Sequence, residues 1–370
     1  MRVLHFYKTS FPDSMGGVEQ VIHQLARGIS TLGINTHVLS LTSGRELKTI
    51  KIEGYFVHRA QCHFYVASTG FSATVFHHFT QLSKDVDIIH YHYPWPLMDL
   101  VHFVTRVKKP TVVTYHADIV RQKHLFNIYR PLQERFLNSV DKIIATSSNY
   151  YASSPVLQKF AQKVSVIPIG LDKATYPEPS VEKVKYWHQR FGSKFFLFVG
   201  VLRHYKGLHT LLKASENVEF PVVIVGNGPL EKSLKHHAMK LGLSQVHFLG
   251  YLSNEDKVAL LTLCYGIVFP SHLRSEAFGI TLLEGAMFGK PMISSEIGTG
   301  TTSINIAGET GLVVPPADHH ALKQAMLYLW QHPDEAIAMG KRSKTKYQTH
   351  FTADRMVKSY IDIYNQLLTA

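Results

Sequence analysis

Short apolar runs alternate along this chain with helix-length amphipathic segments. Met1–Tyr7 is predicted as a strand, and Gly17–Leu32 as a helix because its apolar residues recur on one face. Further strands are predicted at Thr36–Leu41, "VDIIHYH", "PTVVTYH", "DKIIATS" and "KVSVIPI". Strands that alternate with helices indicate βαβ units built around a parallel sheet.

The alternation stops at residues 171–194. Two prolines, many polar residues and the lack of a strand signal before Phe195 predict a linker there. A second series then brings strands at "FFLFVG", "PVVIVG", "VHFLG", "GIVFP", "PMISS" and "GLVVP", and helices at Gly207–Ala214, Leu230–Leu241, Glu255–Leu263 and Ile280–Phe288. We therefore predict an α/β protein with two doubly wound domains facing a cleft, at 1–170 and 195–350, followed by a C-terminal segment at 351–370.

The bulk composition restricts the choice of partners and compartment. With 370 residues the chain exceeds one ordinary core, and 39 Lys and Arg against 27 Asp and Glu give a net charge of +12. Such a balance favours polyanionic partners, for example phosphorylated substrates or an anionic membrane surface. Two cysteines, Cys62 and Cys264, cannot form a disulfide framework and suit a reducing cytosol. No secretory signal or membrane-spanning run is evident, so any membrane contact is predicted to be peripheral.

Ligands of doubly wound sheets bind beyond the carboxyl ends of the strands, so functional residues are expected just after each strand. Gly16 and Gly17 lead into the first helix, where a close backbone approach and free N–H groups suit an anion, although an ordinary turn explains them equally well. His116, in "TYHAD", follows a strand and could bond a sugar hydroxyl, although any one of 23 histidines can be a surface residue. His90 and His92, in "HYHYPWP", have metal-ligand character, but a rigid aromatic cleft loop is the preferred interpretation.

The second half carries a cationic turn and a pair of glutamates. Arg203 and Lys206, in "VGVLRHYKG", stand between a strand and a helix start and suit a diphosphate, the alternative being a solvated turn. In "SEAFGITLLEG", Glu276 is predicted in a loop and Glu284 in the following helix, and both suit sugar hydroxyls beside a phosphate. A hydrolase acid–base pair and a capping acid with a surface acid are the alternatives.

These residues, with the motifs around them, resemble retaining glycosyltransferases of family 4, which have the GT-B fold. "SEAFGITLLEGAMFGKP" is similar to the family's E-x7-E motif. "GGVEQVIHQLARGISTLGINTHVLS", "TYHAD", "IPIGLD", "FVGVLRHYKGLHTLL", "VVIVGNGPLE", "VHFLGYLSNEDK" and "GETGLVVPPAD" follow family order over nearly the whole chain. The closest resemblance is to bacterial mannosyl- or rhamnosyl-transferases of polysaccharide and O-antigen assembly. The family implies two Rossmann-like domains, a nucleotide-sugar bound mainly by the second, and a last helix near Thr352–Leu368 that crosses back to the first.

The resemblance implies roles for individual residues of the second domain. Glu284 would hold the ribose hydroxyls, and Glu276 would touch the donor sugar. Backbone N–H groups of Phe278 and Gly279 would lie near the sugar or phosphate, and Gly226 would flank the base.

The remaining implied roles concern the diphosphate, the base and the first domain. Arg203 and Lys206 would clamp the diphosphate, and Tyr251 and Leu252, in the turn after Gly250, would flank the base. Gly16 and Gly17 would let the first domain close over the donor, and His116 would sit by the transferring sugar. The family implies front-face displacement with retention, in which the leaving phosphate takes the acceptor proton and no metal is required.

Two departures from the family pattern are visible. Many relatives have arginine where this chain has Val201, so Arg203 is expected either to replace that arginine or to point elsewhere. Gly298 and Gly300, in "SEIGTGTTSINIAG", stand where relatives often carry a Gly-Gly-x-Pro-Glu turn.

The resemblance also suggests substrates and a location. GDP-mannose is the expected donor, with GDP-rhamnose or a UDP-sugar as alternatives. The expected acceptor is a glycan or a lipid-linked oligosaccharide at the cytoplasmic face of the inner membrane. The segment "RQKHLFNIYRPLQERFLNSV" sets Arg121, Lys123, His124, Arg130 and Arg135 among apolar residues. This pattern favours contact with an anionic bilayer, the alternative being a domain helix with solvated cations.

Three other functions are alternatives to glycosyl transfer. A nucleotide-sugar 2-epimerase can share the two-domain fold but usually lacks the E-x7-E setting. A nicotinamide enzyme is disfavoured because "GNGPLE" breaks the G-x-G-x-x-G pattern at its last position. A non-catalytic sugar- or nucleic-acid-binding protein suits the charge, but it leaves the two glutamates unexplained, and no aromatic–basic RNA-binding signature is evident.

Overall fold

A computed structural model of the protein describes residues 1–44, 48–66, 69–119 and 123–369. The chain folds as two units. The first combines Met1–Gly170 with Thr352–Ala370, and the second is Leu171–Phe351. Each unit is built around its own sheet, in which helices alternate with mainly parallel strands.

The first unit contains the sheet strands β1 (Arg2–Phe6), β2 (Asn35–Thr42), β3 (Lys48–Ile52), β4 (Tyr55–Gln61), β7 (Ile88–Tyr93), β8 (Thr111–Tyr115), β9 (Lys142–Ala145) and β10 (Val164–Val166), and a separate hairpin of β5 (Phe64–Val66) and β6 (Thr69–Phe71). Its helices are α1 (Gly17–Thr31), α2 (Thr74–Lys84), α3 (Pro96–Val104), α4 (Lys123–Ser139), α5 (Ser148–Ser153), α6 (Pro155–Lys159) and α15 (Ala353–Thr369). The sheet order is β10-β9-β8-β7-β1-β2-β4-β3, and only the β3–β4 pair in it is antiparallel.

Helix α15 is the last element of the first unit and packs against α1. The approach is close at Gly28, where a Cβ atom would lie 2.5 Å from Cγ2 of Val357. Tyr364 on α15 hydrogen-bonds His90 of β7 over 2.6 Å, and Tyr360 hydrogen-bonds Thr114 of β8 over 2.7 Å. The two buried tyrosines therefore attach the helix to the centre of the sheet.

The second unit contains β11 (Phe196–Val199), β12 (Val222–Val225), β13 (Val246–Gly250), β14 (Gly266–Phe269), β15 (Met292–Ser295) and β16 (Gly311–Val314). Its helices are α7 (Val181–Phe191), α8 (Leu208–Ala214), α9 (Glu231–Lys240), α10 (Asn254–Leu263), α11 (Ile280–Met287), α12 (Thr301–Ile304), α13 (His319–Gln331) and α14 (Pro333–His350). The six strands are all parallel in the order β13-β12-β11-β14-β15-β16. The four inner strands, β12, β11, β14 and β15, are buried at nearly every position and hence on both faces, as expected for a parallel sheet covered by helices.

The predicted linker at 171–194 is corrected by the structure, because this segment belongs to the second unit and contains α7. Ser180 caps the helix by accepting a hydrogen bond from the backbone N–H of Lys183. Trp187 and Phe191 are one helical turn apart and buried, and the indole of Trp187 donates to Asp256 on α10 over 3.1 Å. The prolines mark only the chain before the helix.

Among the described residues no helix is both long and apolar enough to cross a lipid bilayer.

Candidate active site

A buried ion pair lies just beyond two neighbouring strands of the second unit. Lys206 is in a short 3₁₀ turn after β11, and Glu276 is in the loop after β14, so the pairing of these strands brings the side chains together. Lys206 Nζ forms an ion pair with Glu276 Oε2, which also accepts a hydrogen bond from Ser271 Oγ over 3.2 Å. Both residues of the pair are about 9% exposed. Lys206, to which the resemblance assigns the diphosphate, and Glu276, to which it assigns the donor sugar, therefore pair with each other.

The charge state of Lys206 follows from two opposing effects. Burial alone disfavours the ammonium and lowers its pKa, but the facing carboxylate of Glu276 outweighs that loss. The pKa of Lys206 is therefore raised above its ordinary value, and the residue is cationic at neutral pH. The ammonium also lies 4.8 Å from the centre of the Phe269 ring, which favours the charged form further.

The two loops that carry this pair are fastened to each other. Gly207 adopts φ +71°, and a Cβ atom there would lie 1.9 Å from the carbonyl oxygen of Pro270. The backbone N–H of His272 donates to the carbonyl of Tyr205 over 2.9 Å. At the start of α11, Thr281 Oγ1 donates to the carbonyl of Val199 over 3.0 Å. The cation and the carboxylate are consequently held by backbone packing as well as by their mutual attraction.

Arg203 stands at the start of the same 3₁₀ turn, three residues before Lys206, and its side chain is exposed. Within the part of the chain that the structure describes, its guanidinium forms no ion pair. Val201, at the position where many relatives carry arginine, is itself 45% exposed. Arg203 is therefore an exposed cation in the turn that carries Lys206.

The first turn of α11 follows a left-handed glycine. Gly279 adopts φ +95°, and Phe278 before it is buried. The turn that departs from the family pattern packs here, since the N–H of Gly300 donates to the carbonyl of Ala277 over 2.8 Å. Arg274 donates from Nη1 to the carbonyl of Gly298 over 2.9 Å. Gly298 and Gly300 thus support the loop before α11.

Glu284, on α11, has partners of its own and is only 4% exposed. Its Oε1 atom accepts hydrogen bonds from the Tyr176 hydroxyl over 2.9 Å and from Lys257 Nζ over 2.8 Å. Each glutamate of the pair is therefore matched with a separate lysine, Glu276 with Lys206 and Glu284 with Lys257. Sequence reasoning missed Tyr176 because it lies in the segment taken for a linker, and missed Lys257 because charged residues are ordinary in the first turn of a helix.

The residues expected to flank a base lie in adjoining turns. The N–H of Gly226, after β12, donates to the carbonyl of Gly250, the last residue of β13, over 2.7 Å. A Cβ atom on Gly226 would lie 2.1 Å from the carbonyl oxygen of Gly200, so only glycine fits. Tyr251 is 67% exposed and Leu252 is half-buried. The structure brings this group together at the carboxyl ends of β11, β12 and β13.

In the first unit, the glycine pair lies where it was predicted, at the start of α1. Gly16 caps the helix and Gly17 is its first residue. A Cβ atom on Gly16 would lie 2.4 Å from Oε2 of Glu19. Oε1 of Glu19 accepts hydrogen bonds from the hydroxyls of Thr9 and Ser14 over 2.7 and 2.9 Å. Glu19, which sequence reasoning did not single out, therefore organises the loop between β1 and α1.

His116 follows β8 and is the end of a chain of three buried histidines. Its Nε2 atom is 3.0 Å from Nδ1 of His92, whose Nε2 is 3.1 Å from Nδ1 of His5. The interpretation of "HYHYPWP" as a cleft loop is wrong for His90 and His92, because both lie within β7 and are fully buried. They satisfy one another and nearby hydroxyls, which makes these polar residues compatible with a central strand.

Burial sets the protonation of these histidines. It lowers the pKa of both His5 and His116 to about 3, and it places those of His90 and His92 well below the ordinary value, so all four are neutral at pH 7. His5, His90 and His92 offer ring nitrogens close enough to hold a metal ion. Each of these nitrogens except His5 Nε2 has a hydrogen-bond partner within the protein.

The basic segment after β8 is only partly described. Arg121 lies outside the described residues, as do the side chains of Lys123 and His124. Arg130 pairs with Glu134 along α4, and the Arg135 guanidinium lies 4.9 Å from the centre of the Phe103 ring. The two described cations are therefore engaged within the protein.

Two family models match the chain, one in each half. The model described as Glycosyltransferase Family 4 matches residues 15–175, and that described as Glycosyl transferases group 1 matches residues 185–346.

Curated relatives match over almost the full length. D-rhamnosyltransferase WbpZ of Pseudomonas aeruginosa is 56% identical over 353 residues, covering 95% of this chain and 93% of the relative. O-antigen chain mannosyltransferase C of Escherichia coli is 50% identical over 368 residues, covering 100% of this chain and 99% of the relative.

Solved structures match the fold at low sequence identity. Sucrose-phosphate synthase from Thermosynechococcus elongatus has a TM-score of 0.85 and 20% identity, with 100% of this chain and 99% of that chain covered. Anabaena HepE, in complex with UDP and glucose, has a TM-score of 0.79 and 17% identity, with 99% and 100% covered. The predicted fold of two Rossmann-like α/β domains is confirmed.

Proposed function

Because the chain belongs to glycosyltransferase family 4, we propose that it transfers a hexose from a nucleoside diphosphate to a glycan in bacterial O-antigen or related polysaccharide synthesis. The expected donor is GDP-mannose, with GDP-rhamnose next, in keeping with the mannosyl- and rhamnosyl-transferases to which the chain is similar. A UDP-sugar is the remaining alternative.

The observation that carries this proposal is the arrangement of charges in the second unit. Lys206 and Arg203 supply two cations in one turn, and Glu276 and Glu284 supply two carboxylates from the next loop and helix. A nucleotide-sugar needs both, because its diphosphate is anionic while its ribose and hexose present hydroxyl donors. The site thus has the complementary charge for each part of the donor.

We assign the residues of the second unit in the order of the donor's own parts. Glu284 accepts from the ribose hydroxyls, Arg203 and Lys206 bind the diphosphate, and Glu276 bonds the donor sugar. The base is assigned to the turns of Gly226, Tyr251 and Leu252. The backbone N–H groups of Phe278 and Gly279 are assigned to the sugar or the phosphate, at the start of α11.

The proposed reaction proceeds with retention. The bond between the anomeric carbon and the diphosphate oxygen breaks, a bond to the acceptor oxygen forms on the same face, and the leaving phosphate takes the acceptor proton. Arg203 and Lys206 stabilise the charge that develops on the diphosphate, a role that a metal ion fills in other transferases. From the first unit we assign His116 to the transferring sugar and Gly16 and Gly17 to closure over the donor, as the family resemblance implies.

The proposed acceptor is a glycan carried on a lipid, which places the reaction at the cytoplasmic face of the inner membrane. The net charge of +12 supports attraction to an anionic bilayer surface. Ile128 on α4 is 80% exposed and would contribute an apolar contact to such a surface.

A thermal-shift panel with GDP, UDP, ADP and dTDP tests the donor class, because a ligand that binds the native state raises its melting temperature. We expect GDP alone to raise it, by an amount that grows with concentration, and GDP-mannose to be turned over. The variant Glu284→Gln is expected to lose most of the shift. A shift with UDP alone would overturn the donor, and no shift with any nucleotide would contradict the proposed function.

A further inference from the structure

The hydrogen bonds to Glu284 are distributed unequally between its two oxygens. Both donors, the Tyr176 hydroxyl and Lys257 Nζ, bind Oε1. Among the described residues, no group hydrogen-bonds Oε2. One oxygen of this largely buried carboxylate is thus occupied, and the other keeps its acceptor capacity.

The two donors come from separate elements, yet they form one packed group with the carboxylate. Tyr176 follows a short 3₁₀ turn at Lys173–Thr175 and is 8% exposed, and Lys257 lies on α10. Lys257 Nζ is 5.1 Å from the centre of the Tyr176 ring. Phe288, one turn after Glu284, meets the same ring edge-on at 6.4 Å between centroids. The aromatic contacts fix the tyrosine from which one donor extends.

This geometry has a direct consequence for the direction of the carboxylate. Two donors on a single oxygen restrict rotation about the bond that carries the carboxyl group, so the orientation of Oε2 is set before any ligand arrives. Lys257 also compensates the negative charge that would otherwise be buried alone. A carboxylate that is already oriented by two donors binds hydroxyl groups at a lower entropic cost.

We propose that Tyr176 and Lys257 are positioning residues that hold Oε1 of Glu284 and so direct Oε2 to the ribose hydroxyls of the nucleotide. The inference rests on the proposed function, since it takes the ligand to be a nucleoside diphosphate. It extends that function by two residues, neither of which touches the nucleotide in this scheme.

The test compares two nucleotides that differ only in the ribose 2′- and 3′-hydroxyls. Dissociation constants are measured by calorimetry for GDP and for 2′,3′-dideoxy-GDP, with the wild type and with Tyr176→Phe and Lys257→Met. A hydrogen bond to a charged group contributes enough that the wild type should bind the dideoxy nucleotide about tenfold or more weakly. In both variants we expect this ratio to fall to about threefold or less, chiefly through weaker binding of GDP.

Tyr265→Phe serves as the matched control, because its hydroxyl donates to the carbonyl of Leu329 elsewhere in the same unit. This control should keep the wild-type ratio. Urea unfolding of each variant separates a loss of stability from a loss of discrimination, because reduced stability alone weakens both nucleotides equally. If Tyr176→Phe fails to fold, the ratio of the two dissociation constants is measured with Lys257→Met.

The possible results distinguish failure of this inference from failure of the proposed function. A wild type that discriminates, with variants that keep its ratio, would overturn the positioning role and leave the glycosyltransferase function standing. A wild type that binds GDP and its dideoxy analogue equally would remove Glu284 from the ribose and overturn the inference. A wild type that binds no nucleoside diphosphate would overturn the proposed function itself.

Discussion

Replacement of Lys206 by methionine is expected to lower kcat by about 10²–10³-fold, because one of the two cations that stabilise the departing diphosphate is removed. The structure adds a second expected result. Glu276 would then be buried without its counter-charge, so the free energy of unfolding should fall by about 3–5 kcal/mol. Initial rates with GDP-mannose and urea unfolding measure the two effects separately.

The double variant Lys206→Met/Glu276→Gln distinguishes the two roles of the lysine. A neutral pair removes the uncompensated charge, so most of the stability should return while kcat stays low. Lys235→Met is the control, because Lys235 forms only an exposed ion pair with Glu231 on α9. Recovery of the wild-type rate in the double variant would show that Lys206 acts through stability alone.

Acidification from pH 7.5 to 5.5 is expected to destabilise the first unit by about 1.4 kcal/mol for each of His5 and His116. Their pKa is lowered by burial to about 3 in the folded protein, whereas histidine in an unfolded chain titrates near its ordinary value of about 6.5. Below that value the unfolded chain binds more protons than the native state, so stability rises with pH and is lost as the pH falls. Urea unfolding followed at a series of pH values measures the slope.

The variant His5→Asn should reduce this loss by about 1.4 kcal/mol over the same interval, because one proton uptake is removed. His236→Asn, on the exposed face of α9, should leave the slope unchanged. An equal slope in the wild type and in His5→Asn would show that the chain of histidines is not the cause of acid sensitivity.

Much of the fold could be predicted because its strands are short apolar runs that end at a glycine or a proline, as in "VVIVG" and "GIVFP". The sequence predicts no strand or helix in the region 43–85, which contains β3, β4, the β5–β6 hairpin and α2. Lys48–Ile52, with the sequence KTIKI, mixes charged with apolar residues, which is typical of an edge strand, and among the described strands it pairs with β4 alone. Local periodicity there was too brief to separate from a loop.

The spacing of residues along the sequence does not show which residues of the candidate site meet in the fold. Lys206 and Glu276 are 70 positions apart and meet because β11 lies beside β14, an order that no local pattern specifies. His90 belongs both to the predicted strand "VDIIHYH" and to the predicted loop "HYHYPWP", and the sequence does not show that Thr114 and Tyr364 from distant elements satisfy its ring. Glycine positions such as Gly226 were recognisable because their motif is local.

The return of α15 to the first unit means that this unit is translated in two pieces, one before and one after the second unit. The second unit, Leu171–Phe351, is one continuous stretch, and its last residue is added before translation of the last helix begins. The first unit waits for residues 353–369, whose tyrosines bond to His90 and Thr114 in its central strands. A chain that stops before residue 353 would therefore contain every residue of the second unit, whereas its first unit would lack the partners of β7 and β8 and would be prone to aggregation.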